Sequence, residues 1–177
     1  MARVRYIPTS EIKETNPALH DRLQKERKVP TGNIFLALAH TPEILDAFLT
    51  YANAIRASSI SPKLREMAIL TVGHLVGSEY EVKHHHSHGL KAGISEAQLV
   101  AIPKFETSPL FNDEERAIMA FAKDSTLNVD VDQVNWDHAH KYLSDKQMVE
   151  LALNVAWYAS GVRLMGALKI DLEDDYK

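Results

Sequence analysis

Four of the nine histidines crowd into one short stretch, Ser78-Glu79-Tyr80-Glu81-Val82-Lys83-His84-His85-His86-Ser87-His88. On a helix, residues four and seven apart share a face, so Glu81, His85 and His88 project together, with His84 one turn before His88. A carboxylate and imidazoles on one face suit proton transfer or the binding of a divalent metal. Ser78-x-x-Glu81 also has the form of a capping box, in which Glu81 would only start a helix and the histidines would make a solvated polar face. Both readings stand on this stretch alone.

Composition narrows the chemistry. The chain has 177 residues, a net charge of −4 with histidine neutral, and no cysteine. Without cysteine there is no disulfide, thiolate ligand, nucleophilic thiol or thiol redox couple. Charges of both signs are mixed along the chain, with no basic stripe for a nucleic-acid partner. The first residues, Met1 to Tyr6, lack the apolar run of a signal peptide, and no apolar stretch reaches membrane-spanning length. The expectation is a cytoplasmic protein that uses neither a nucleic acid nor a membrane.

Helical periodicity runs through nearly the whole sequence. A short helix is expected around Asn16 to Lys28, with Pro30 and Gly32 breaking the chain after it. Thr41-Pro42 and Ser61-Pro62 have the form of helix starts, and each is followed by apolar residues at helical spacing. Gly77 closes the second of these and Ser78 opens the histidine-rich helix, which ends near Gly93. Ser95-x-x-Gln98, Asn112 or Asp113, a short stretch through Trp136 and Tyr142, and Ser144-x-x-Gln147 begin the rest. The last of these is the longest and runs to about Ile170. No segment alternates with period two. The pattern predicts an all-α, single-domain helical bundle of about seven or eight helices.

Three ordered runs resemble the carboxymuconolactone decarboxylase family, which includes the alkylhydroperoxidase D-like proteins. They are Ile34-Phe35-Leu36-Ala37-Leu38-Ala39-His40-Thr41-Pro42-Glu43, Ser61-Pro62-Lys63-Leu64-Arg65-Glu66-Met67-Ala68-Ile69-Leu70, and Gly77-Ser78-Glu79-Tyr80-Glu81-Val82-Lys83-His84-His85. Ala92-Gly93-Ile94-Ser95, Phe111-Asn112-Asp113-Glu114-Glu115 and the terminal helix with Tyr158 extend the likeness over roughly residues 30 to 170. The resemblance implies an N-terminal arm over 1–30 and the family domain over 31–177. It also implies a homotrimer or homohexamer with sites buried near subunit contacts. In the peroxidase branch, a Cys-x-x-Cys is followed four residues later by a histidine, with a glutamate twelve residues before the first cysteine. Those places fall here on Ser78, Glu81, His85 and Glu66. Both redox positions are replaced and both proton-handling positions remain. A peroxiredoxin-related label would thus describe ancestry more than chemistry.

The residues expected to carry catalysis are Glu66, Glu81 and His85, with Tyr80, Tyr158 and Arg163 as substrate-binding candidates. Tyr80 could donate to a substrate oxygen or pack under the helix start. Tyr158, like Trp157, could line an apolar pocket or pack, and Arg163 could clamp a carboxylate or form an exposed ion pair. Glu81, His85 and His88 are weaker candidates for a metal. His138 and His140 read as surface residues, and His40 as fixing a helix entry. The first functional expectation is a lyase-like small-molecule enzyme that uses Glu/His acid–base chemistry without a cofactor. Its reaction would decarboxylate or isomerise an unsaturated lactone or keto acid. The alternatives are a metal-binding protein or metal-assisted hydrolase built on the Glu/His cluster, and a non-catalytic ligand-binding member of the fold.

Overall fold

The computed structural model describes residues 2–27 and 30–176. Among the described residues there are ten α-helices, two short 3-10 turns and no strand. The all-α class is as expected, but the number of helices is corrected upward from seven or eight. The additions are α1 (Thr9–Thr15) and α3 (Asn33–Leu38). Each buries a single residue, Ile12 and Ala37 respectively, so neither writes an apolar stripe into the sequence. No helix among the described residues is long and apolar enough to cross a membrane.

The chain divides into two compact units, residues 1–57 with 164–177, and residues 58–163. In the first, α1, α2 (Pro17–Glu26), α3 and α4 (Pro42–Arg56) enclose a core of Ile7, Ile12, Leu19, Leu23, Leu45 and Leu49. Asn16 caps α2 by accepting from the Leu19 amide, and Pro17 takes the first helical position, where a missing N–H costs nothing. Lys28, at the end of the stretch expected to be helical, lies outside the described residues. Thr41 and Ser61 precede helices, yet neither side chain caps one; the Thr41 hydroxyl donates instead to the Leu38 carbonyl.

The second unit holds α5 (Pro62–Leu75), α6 (Glu79–Lys91), α7 (Glu96–Ala101), α8 (Asp113–Leu127), α9 (Gln133–His140) and most of α10 (Asp145–Leu168). α5 packs against both α6 and α8. Every residue from Glu66 to Gly73 is buried, so this helix is covered on all sides. Met67 and Leu70 of α5 join Ile94, Leu99, Ile102, Phe105, Phe111 and Met119 in one apolar cluster. The only acid on that buried run is Glu66, and a carboxylate placed there must find partners.

Candidate functional site

α5 and α6 are joined by three residues, Val76, Gly77 and Ser78. Gly77, at φ +66, adopts the left-handed conformation that ends α5. Its N–H donates to the His74 carbonyl at 3.3 Å, and the Ser78 N–H donates to the Gly73 carbonyl at 2.9 Å. Ser78 then caps α6 at once, its hydroxyl accepting from the Glu81 amide at 3.4 Å. This closure folds α6 back along α5, which brings residues 81 and 85 opposite the Glu66 side of α5.

His85 lies between two carboxylates. Its Nδ1 is 2.7 Å from Glu66 Oε2, and its Nε2 is 3.0 Å from Glu81 Oε1. The side chains are 12% (His85), 8% (Glu66) and 8% (Glu81) exposed, so water screens the contacts poorly. Carboxylate oxygens only accept, so both ring nitrogens are satisfied as donors when the imidazole is protonated. Burial pulls the His85 pKa down, but the hydrogen bonds and charges of Glu66 and Glu81 outweigh it and raise it to about 9. Burial likewise pushes Glu66 up, and its bond to His85 with the charges of His85, His88 and Arg65 brings it below the ordinary carboxylate range. At neutral pH the unit is an imidazolium held by two carboxylates.

The capping-box reading of Glu81 is half present. Ser78 accepts from the Glu81 amide, but the returning bond from the Glu81 carboxylate to the Ser78 amide is absent because Gly73 has taken that amide. Complete boxes occur at Ser95/Gln98 and at Asn112/Glu115. Glu81 also sits in the first turn of α6, where the positive end of the helix favours its charge.

The other candidates are placed unevenly. Tyr158 meets the His85 ring edge to face, with centroids 5.0 Å apart and planes at 87°. His88 lies over the same imidazole at 5.4 Å. Tyr80 stacks on His84 at 4.0 Å, and the His84 Nδ1 bonds the Tyr80 carbonyl, so this tyrosine braces the start of α6. Arg163 is exposed, and its Nη1 donates to the Ala159 carbonyl of its own helix. His140 is exposed beside Asp145, and His40 bonds the Arg5 carbonyl. Among the described residues no group of three or more His, Asp or Glu is arranged to hold a metal ion. Of the Glu81–His85–His88 set, His85 has both nitrogens bonded to carboxylates, so neither faces an open position.

Two residues of this site escaped the sequence reading. Arg65 places its Nε 3.9 Å from Glu66 Oε1 and helps to hold that carboxylate ionised. Gly73 faces Glu81 and Val82 of α6, where an added Cβ would meet both at 3.1–3.3 Å. A glycine inside an apolar helix, which costs helix stability, was the available signal.

The family model of the carboxymuconolactone decarboxylase family matches residues 42–124. No curated protein matches the sequence. Solved structures share the fold at low identity. A cysteine-to-alanine variant of the debrominase Bmp8 in complex with 2,3,4-tribromopyrrole is 20% identical and superposes with a TM-score of 0.82, over 98% of this chain and 95% of that one. An uncharacterised peroxidase-related protein from Ralstonia eutropha JMP134, described as an alkylhydroperoxidase AhpD core, gives 16% identity and a TM-score of 0.84, over 99% and 94% of the two chains. An Agrobacterium tumefaciens protein of unknown function, described as a putative antioxidant defence protein AhpD, gives 16% identity and 0.73, over 77% and 94%. The match to the carboxymuconolactone decarboxylase family model over 42–124 contains Glu66, Glu81 and His85, and this cysteine-free chain shares its helical fold with those solved structures.

Proposed function

We propose that the protein is a small-molecule enzyme whose chemistry is proton transfer by the Glu66–His85–Glu81 unit. The reaction is decarboxylation or isomerisation of an unsaturated lactone or keto acid. One observation carries this reading: a largely covered imidazole bonded through both nitrogens to two buried carboxylates, 2.7 and 3.0 Å away. The match to the carboxymuconolactone decarboxylase family model supports the substrate class, and the tribromopyrrole complex of the debrominase supports a fold that accepts a small cyclic molecule.

Because both His85 nitrogens face carboxylates, the proton reaches substrate through a glutamate. Loss of CO2 from a β-keto acid or unsaturated lactone acid leaves an electron pair delocalised onto the carbonyl oxygen. That enolate needs a proton on carbon. Glu81 takes the Nε2 proton of the His85 imidazolium and passes it to that carbon, and a proton from solvent then recharges His85. Glu66 keeps hold of the Nδ1 proton, which fixes the ring's orientation and tautomer while His85 is neutral. In isomerisation Glu81 first removes a proton from the carbon beside the carbonyl and then returns it at the far end of the conjugated system. A His85 pKa of about 9 keeps the reserve proton in place at neutral pH. The metal-based alternative is less well served, because a metal would have to displace two carboxylates from His85. A thiol peroxidase cycle has no thiol to use.

The test is a panel of unsaturated lactones and keto acids incubated in D2O and followed by NMR for loss of CO2 and for deuterium on carbon. Turnover should fall by about 10²-fold or more in His85→Gln and in Glu81→Gln, the scale of a positioned acid or base. Full turnover by either folded variant would overturn the assignment.

A further inference from the structure

At Gly73, α5 and α6 approach so closely that a side chain of even one carbon would have to push its neighbours back by a few tenths of an ångström. A Cβ on Gly73 would stand 3.1 Å from Val82 Cγ2 and 3.3 Å from Glu81 Cβ, closer than ordinary contact. Gly73 lies seven residues after Glu66, two turns along the same face of α5. The glycine that admits Glu81 is therefore in line with the carboxylate that holds the other side of His85.

The same residue acts a second time through its backbone. Its carbonyl accepts the Ser78 N–H at 2.9 Å. In a capping box that amide belongs to the side chain three residues on, as it does at Ser95/Gln98 and Asn112/Glu115. At Ser78 it is occupied, and the Glu81 carboxylate goes to His85 Nε2 instead.

We propose that Gly73 is a positioning residue of the Glu66–His85–Glu81 unit. Its missing side chain lets Glu81 reach His85, and its carbonyl withholds the Ser78 amide that would otherwise capture the Glu81 carboxylate. This rests on the proposed function only for the use made of the unit. The test reads the unit's geometry without substrate, so either idea can fail alone.

The probe is the His85 imidazole, titrated by NMR in the full-length protein. Glu66 and Glu81 contact it directly, and the other titratable or charged groups around it are His88 and Tyr158 against its ring and Arg65 behind Glu66. Gly89 supplies the control. A Cβ there would also be crowded, but by Leu99 Cδ2 at 3.1 Å, Leu70 Cδ1 at 3.3 Å and Ile94 Cδ1 at 3.4 Å, none of them part of the unit. In Gly73→Ala, Glu81 must move by a few tenths of an ångström, and the His85 midpoint should fall by about one pH unit or more. Gly89→Ala should leave the midpoint in place. A folded Gly73→Ala protein with an unmoved midpoint would overturn the proposal, as would an equal fall in Gly89→Ala. Should Gly73→Ala fail to fold, the same reading is taken with Val82→Ala added, which removes the nearest clash and keeps the one against Glu81.

Discussion

Raising the pH through the range 6.5 to 9 should destabilise the folded protein through His85. The imidazole titrates near 6.5 when free and at about 9 in the fold. A group whose pKa is raised by folding gives its full stabilisation below the unfolded value and loses it as the pH rises through the folded one. The interval of about 2.5 pH units corresponds to ~3 kcal/mol, present below about pH 6.5 and gone above about pH 9. Midway, the slope is about 1.4 kcal/mol per pH unit, the signature of one extra proton held by the folded state. Glu66, whose pKa is lowered, loses its share in the opposite direction, as the pH falls through the carboxylate range. The two losses describe one interaction and are not added. Urea unfolding at stepped pH measures the slope directly, with Glu66→Gln/Glu81→Gln as the comparison. That variant leaves burial as the main influence on His85, and burial alone lowers its pKa. The slope above pH 6.5 should then vanish, and one of opposite sign should appear below it. Equal slopes in the two proteins between pH 6.5 and 9 would show that the carboxylates do not hold the His85 proton.

Val129 holds φ +68 while 88% exposed, so it bears the steric cost of the left-handed conformation without gaining from burial. Val129→Gly should raise stability by about 1 kcal/mol, read as a higher urea midpoint at unchanged slope, and a lower midpoint would contradict the strain argument. Assembly into a trimer or hexamer is expected from the family resemblance and from the apolar Val149 and Leu153 that α10 leaves exposed. Light scattering that returns a stable monomer at micromolar concentration would remove this expectation.

The helices that bury a stripe were legible from spacing, as with Leu45 and Leu49 of α4 or Met67 and Leu70 of α5. α1 and α3 were not, because a helix of one or two turns that buries one residue leaves no period to find. Glu81 and His85 share a face by simple helical geometry. The contact of His85 with Glu66 depends on how tightly α6 returns along α5, and no local pattern encodes that distance. It is set by the Gly77 turn and by a missing side chain at Gly73. Whether Glu81 caps or pairs was also undecidable from Ser78-x-x-Glu81, since the outcome turns on a backbone carbonyl of the preceding helix. Arg163 shows the converse limit: a residue type suited to a carboxylate that spends a donor on its own helix.

The whole Glu66–His85–Glu81 unit is written in twenty consecutive residues, 66–85, on one helical hairpin. Its three members need no distant part of the chain to find one another, so the loop entropy of assembling them is that of a short closure. Such a unit can form early in folding, as soon as the hairpin closes and gains cover. It can also be transplanted. An antiparallel helix pair with a left-handed glycine at its turn, a glycine four residues before that, and Glu, Glu and His at the corresponding positions contains all the local instructions. What the rest of the protein adds is cover that keeps water from screening the contacts between His85 and its two carboxylates.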